Sequence, residues 1–431
     1  MTGACQFPDG FLWGSATSAH QVEGNNVHSD WWAWEQAGRV PERSGQACDH
    51  YRRFRDDFDL AVQLGHNAHR CSIEWSRIEP APGRWDDEAL AHYVEVVRAL
   101  RARGLEPLIT LHHFTSPQWL AARGGWASGE AVEAFARYVQ RVADALRGLV
   151  RYWITINEPM VYVRVHYVQG VGPPGVKDLA QALQVIRHLI QAHAAAHHIL
   201  HAARRIGDAH PQVSLAHHVP CFWPCRRWSL SDRRITSLTD RVFNVAMIEA
   251  LTEGRWSVPG VATWRIPEAR GTLDYLGLNY YGRQFIRWTP DGAVWPGSSC
   301  DLAHHPRQVP ERTAFGWDVH PESFLHTLVR WGRLGLPILV TENGTWMADD
   351  ARRWSFIRRH VQAMAQARRA GAPLLGYCYW SLMDNFEWAD GFRPRFGLVE
   401  VDYATQRRTV RESALKYAQI CRANRVPMSV R

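Results

Sequence analysis

Lysine is nearly missing from this chain. Of its 50 basic residues only Lys177 and Lys416 are lysines, and the rest are arginine. Lys177 stands in a loop before a helical stretch, and Lys416 falls late in another. Neither closes a strand, which excludes chemistry built on a Schiff-base lysine at a strand end. Long apolar runs are missing too. Nothing approaches the roughly 18 consecutive apolar residues of a membrane-spanning helix, so no membrane span is expected. The start, "MTGACQFPDG", lacks the charged head and apolar core of a secretory leader, which points to the cytoplasm. The eight cysteines, at 5, 48, 71, 221, 225, 300, 378 and 421, show no framework spacing. They read as separate buried or surface thiols rather than staples. "CFWPC", with Cys221 and Cys225, has no second cysteine pair to complete a zinc site. No Ser/Gly-rich linker, low-complexity tract or repeat divides the 431 residues. One domain over 1–431 is the expectation.

The formal charge of +8 raises the question of nucleic acid. The arginines sit in helix-like stretches such as "VRALRARG", "FIRRHVQAMAQARRAG" and "HAARRIG". Guanidinium heads in water with stems on apolar surface give this pattern. No basic run interleaves with aromatics as a strand-binding groove requires, so no nucleic-acid partner is expected.

What the chain does have is a rhythm. Eight strand-like runs recur at 11–18, 67–73, 106–113, 151–158, 212–219, 273–281, 337–344 and 374–382. Between several of them lies clear 3.6-residue periodicity, as in "DEALAHYVEVVRALRARG" and "GEAVEAFARYVQRVADALRG". Strands alternating with helices imply parallel crossovers, and eight such units predict an α/β fold closed as a (β/α)₈ barrel.

Two of the runs end oddly. In "VRYWITINEP" the β-branched and aromatic run 152–156 gives way to Asn157, Glu158 and Pro159, and "PILVTENG" is apolar until Thr341 and Glu342. Reactive groups of such barrels gather where strands finish, and strands four and seven face one another across the mouth. Two carboxylates so placed suit glycoside hydrolysis, one protonating the departing oxygen and the other attacking the anomeric carbon or activating water. "DNFEW" sets Asp384, Asn385 and Glu387 among aromatics directly after the eighth run, an unfavourable arrangement unless the polar groups are partnered or used.

These motifs, with "FPDGFLWGSATSAHQVEG" at the start and "YWSLMDNFEWADGFRPRFGLVEVDY" near the end, resemble glycoside hydrolase family 1 over nearly the whole chain. The resemblance implies a retaining β-glycosidase of the β-glucosidase type, with Glu158 as general acid/base and Glu342 as nucleophile. It implies that Gln21 and Glu387 hold the outer sugar hydroxyls, and that His113 and Asn157 hold those nearer the reacting carbon. It makes Trp380 the platform under the sugar ring, Trp388 and Phe396 further walls, and Arg70, Asn279 and Tyr281 the group around the nucleophile. The types make chemical sense: amides, imidazole and carboxylate for hydroxyls, a flat indole for the apolar sugar face, and an arginine to keep the nucleophile ionised. The acid needs a raised pKa, which burial and the Glu342 charge would supply. The expected partner is a small β-glycoside or oligosaccharide, with no cofactor and no metal. Glu387 and Trp388 stand where members acting on 6-phosphorylated sugars carry a phosphate clamp, which implies an unphosphorylated sugar. Phe114 replaces a usual Trp, Thr115-Ser116 also depart from the common pattern, and 220–265 follows it poorly, so the leaving group is open.

Rival readings make different demands. A metal-dependent barrel would draw on His112, His113, His217 and His218, but adjacent strand residues point opposite ways and each pair offers one inward ligand. His193, His197 and His201 share a helical face suited to a metal; lying mid-helix, they read as a solvated face. Transglycosylation would use the same site as hydrolysis, and a sugar-binding barrel without catalysis would be expected to have lost one of the two carboxylates.

Overall fold

The computed structural model describes residues 4–203, 210–290 and 297–427, so part of the basic stretch "HAARRIG" lies outside the described residues. All eight strands read from the sequence are present: β1 (Leu12–Ala16), β2 (Ala68–Ser72), β3 (Glu106–His112), β4 (Tyr152–Asn157), β5 (Gln212–His218), β6 (Leu276–Asn279), β7 (Ile338–Asn343) and β8 (Leu374–Trp380). They close a parallel barrel in chain order, β8 pairing with β1. β2, β4 and β7 are buried at every position, as strands covered on both faces must be.

Each strand is followed by a helix: α1 (His50–Gln63), α2 (Asp87–Ala102), α3 (Glu130–Ala145), α4 (Leu179–Ala202), α5 (Ala246–Glu253), α6 (Pro321–Gly332), α7 (Asp350–Arg369) and α8 (Glu412–Ala423). α3 shows why the periodicity works, since Ala131, Ala134, Phe135, Tyr138, Val139 and Val142 form one buried stripe. Two apolar layers result. Ala16, Ala68, Leu108, Ile154, Ala216 and Leu339 fill the barrel, small residues beside large ones. A larger layer lies between strands and helices. Among the described residues no helix is long and apolar enough to cross a membrane.

Two expectations are corrected. Cys225 and Cys300, 75 residues apart, form a disulfide rather than separate thiols. The cause is a three-stranded sheet outside the barrel, in which Arg283–Trp288 pairs with Cys221–Pro224 on one side and Gly297–Ser299 on the other. The six other cysteines are free, and all but Cys221 are buried. The histidine stripe of α4 faces inward, not to solvent. His193 is fully buried between the Thr155 hydroxyl (2.6 Å) and the Thr272 carbonyl (2.8 Å). His197 is buried beside it, and His201 bonds Asp274 at 2.8 Å. A helix of 24 residues laid along the barrel turns this face toward the chain entering β6.

Candidate active site

A cavity of about 710 Å³ opens where the strands end. The backbone is irregular at this rim. Register shifts fall between Ile154 and Asn157, between Leu278 and Asn279, and between Val340 and Asn343, which re-aims the last side chains of β4, β6 and β7. Three residues lining the cavity, Phe114, Glu158 and Trp388, have positive φ (71°, 46° and 56°). Such conformations are unfavourable for side-chain-bearing residues by about 1 kcal/mol or more and collect at functional sites.

Glu158 caps a short helix, Pro159–Val163, in the left-handed conformation. Pro159 sits at the first helical position, where its missing N–H is no loss. The Glu158 carbonyl accepts from Tyr162 N–H at 2.9 Å. The proline thus stops the strand and turns the carboxylate toward the cavity.

Glu158 and Glu342 have opposite surroundings. Glu342 Oε1 accepts from the fully buried Arg70 guanidinium, and Oε2 accepts from the Tyr281 hydroxyl at 2.7 Å. Glu158 Oε1 accepts from Asn279 Nδ2 at 2.8 Å. The His218 ring lies 3.7 Å away and is kept neutral, its pKa pushed down to about 3 by burial. The Glu158 carboxyl is pushed up to about 8, first by burial and then by the charge of Glu342. A buried network joins the two acids. Arg70 donates to Asn157 Oδ1 (2.7 Å), Asn279 Nδ2 donates to the same oxygen (3.2 Å), and Asn279 Oδ1 accepts from Thr341, the neighbour of Glu342 (2.6 Å).

At the other end of the cavity Trp380 Nε1 donates to Glu387 Oε1 at 3.2 Å. Burial raises Glu387 to about 8, opposed by that bond and reinforced by the Glu342 charge. Both N–H groups of Gln21 are taken, by Asn385 Oδ1 (2.9 Å) and the Phe386 carbonyl (2.8 Å), and its Oε1 accepts from the Ser18 hydroxyl at 2.6 Å, which fixes the amide at the cavity wall. The His113 ring lies nearly parallel to Trp380 and Trp388, and His113 Nε2 is 3.2 Å from Asn157 Nδ2. Phe396 lies edge-on to Tyr281. Of the twelve residues singled out in the sequence, ten line one cavity, with Arg70 and Asn279 directly beneath it.

The family model described as glycosyl hydrolase family 1 matches residues 4–426. The chain belongs to glycosyl hydrolase family 1. It is similar in structure to a β-glycosidase from Pyrococcus horikoshii, with a TM-score of 0.91, 38% identity, and coverage of 99% of this chain and 97% of that one. A β-glucosidase from Thermotoga maritima in complex with deoxynojirimycin superposes with a TM-score of 0.89 at 30% identity, covering 97% of this chain and 99% of that one. A bifunctional β-D-glucosidase/β-D-fucosidase of Bifidobacterium breve is 31% identical over 94% of this chain and 96% of its own.

Three features of this family 1 site carry no sequence signal. Phe315 and Trp317, which stack on each other and pack on Phe396, come from an irregular segment. Arg164 lines the cavity from what reads as an ordinary helical turn. Arg353, on α7 and 1% exposed, donates to the carbonyls of Thr345, Met347, Arg395 and Phe396 and so ties the loop after β7 to the one after β8.

Proposed function

We propose that this protein hydrolyses unphosphorylated β-glycosides at the non-reducing end with retention of anomeric configuration, acting as a β-glucosidase that also accepts β-galactosides and β-fucosides. Glu342 is the nucleophile and Glu158 the acid/base. The observation that carries this reading is the contrast between the two carboxylates: Glu342 is bonded to Arg70 and Tyr281, while Glu158 is buried with a carboxyl raised to about 8. At neutral pH the first is poised to attack and the second to donate its proton.

In the first step Glu342 attacks the anomeric carbon while Glu158 protonates the departing oxygen. The glycosyl-enzyme ester neutralises Glu342. One of the two causes that hold the Glu158 proton is thereby removed. Glu158 then takes a proton from a water whose oxygen attacks the anomeric carbon, breaking the ester and freeing the sugar and the Glu342 carboxylate. Asn279, in contact with Glu158 and with Thr341, keeps the two acids in register through both steps. Arg70 and Tyr281 support the nucleophile. Gln21, His113, Asn157 and Glu387 bind hydroxyls, and Trp380, Trp388 and Phe396 enclose the sugar. We treat residues 1–431 as one catalytic domain. Cytoplasmic residence belongs to the same reading, with five buried free thiols in its favour and the Cys225–Cys300 bond against it.

Aryl β-glycosides differing in leaving group test the assignment. Glu342→Ala is expected to abolish turnover of all of them. Glu158→Ala is expected to slow poor leaving groups by about 10²–10⁴-fold and spare good ones in the first step. Appreciable turnover by Glu342→Ala would refute the choice of nucleophile.

A further inference from the structure

β8 and β4 stand four places apart around the eight-stranded ring, so the loops that follow them lie on opposite sides of the mouth. The β8 side holds Glu387 and Trp388. On the β4 side, six residues past Glu158, stands Arg164, at the start of the wide helical turn Arg164–Val168. Its guanidinium lies 5.8 Å from the Phe243 ring centre and reaches the cavity. Its Nε is buried with no hydrogen-bond partner, and among the described residues no carboxylate pairs with it.

The two other arginines on the cavity are engaged. Arg283 donates to Asp318 and to the Gln308 carbonyl, both at 2.6 Å, and Arg312 donates to the Leu302 carbonyl at 2.5 Å. Asp301, at the rim, caps its own turn through Ala303 N–H. Glu158, the carboxyl whose charge acts on Arg164, keeps its proton at neutral pH. A half-buried guanidinium with no anion beside it is unfavourable unless a ligand supplies one. Apolar side chains stand on either side of it in the chain, Val161 and Val165, and the wall of the same cavity includes Phe285, Leu302 and Trp317 among polar neighbours.

We propose that Arg164 determines leaving-group specificity, and that the leaving groups of this enzyme are apolar ring-bearing molecules whose carboxylate pairs with the Arg164 guanidinium. The planar fork of arginine matches a carboxylate through two parallel N–H···O bonds, and the apolar side chains take the ring. The proposal rests on the glycosidase reading above.

The test uses two substrates, 4-carboxyphenyl β-glucoside and its methyl ester, and compares the acid-to-ester ratio of kcat/KM in wild type, Arg164→Met and Arg164→Lys. Within that ratio the differing departure of the two phenols cancels between variants. The ratio is expected to fall about tenfold or more in Arg164→Met, chiefly through KM for the acid, with partial recovery in Arg164→Lys. Turnover of the ester reports that each variant is folded. If Arg164→Met does not fold, Arg164→Lys carries the test, its ratio falling below wild type. An unchanged ratio overturns the proposal. So does an equal loss on both substrates with a displaced alkaline limb, which would make Arg164 a tuner of Glu158 alone. Wild type inactive on both substrates would instead remove the glycosidase reading, and the proposal with it.

Discussion

Replacing Glu158 by glutamine is expected to stabilise the fold, by an amount that grows with pH. The native carboxyl titrates near 8 because burial, and next the Glu342 charge, disfavour its ionised form, whereas the ordinary value is 4.5. Between these values the native state keeps a proton that the unfolded chain has lost, so raising the pH favours unfolding. The cost is absent below about 4.5, about 3 kcal/mol at pH 7, and levels off at about 5 kcal/mol above pH 8. Glutamine cannot ionise, and it keeps an oxygen for Asn279 Nδ2 to reach. With an unfolding entropy of about 2 cal/mol/K per residue, 3 kcal/mol corresponds to about 3 °C in Tm for a chain of this length. Calorimetric scans of wild type and Glu158→Gln from pH 4.5 to 8.5 check this. The two Tm curves should converge at the acid end and separate toward neutrality. A gap independent of pH, or a wild type that is the more stable at pH 7, would refute the reasoning.

Two other substitutions probe the site. Tyr281→Phe removes a 2.7 Å bond to an ionised carboxylate. The loss of about 1.5–3 kcal/mol should lower kcat/KM for an aryl β-glucoside about 10- to 150-fold; a variant within about twofold of wild type would show that the bond does not favour the transition state. At Gly344 an added Cβ would lie 1.8 Å from the Trp380 carbonyl oxygen. Gly344→Ala should therefore displace β8, lower stability by about 1–3 kcal/mol and raise KM, as thermal melts and steady-state kinetics would show.

Much of this was legible because chemistry interrupts pattern. Glu158 and Glu342 stand out as charges closing strands buried at every position, and the eight-fold alternation supplies the geometry that makes them face one another. Boundaries were less legible. The run 273–281 shortens to Leu276–Asn279 because Asp274 is drawn off to the Val213 N–H and His201 and because the register shifts at Asn279. Cys225 and Cys300 were not paired in the sequence because only the outer three-stranded sheet brings them together. Arg164 escaped notice because one arginine in a helical turn looks like any solvated one. That no carboxylate among the described residues pairs with it is visible only in three dimensions.

Arg353 belongs to the outer ring of helices, yet its donors hold carbonyls of the loops after β7 and β8, which border the Trp380–Glu387 end of the cavity. Affinity can therefore drift through changes on the far side of the barrel wall, without any residue that meets a hydroxyl being altered. Libraries confined to the visible mouth would miss that route to new selectivity.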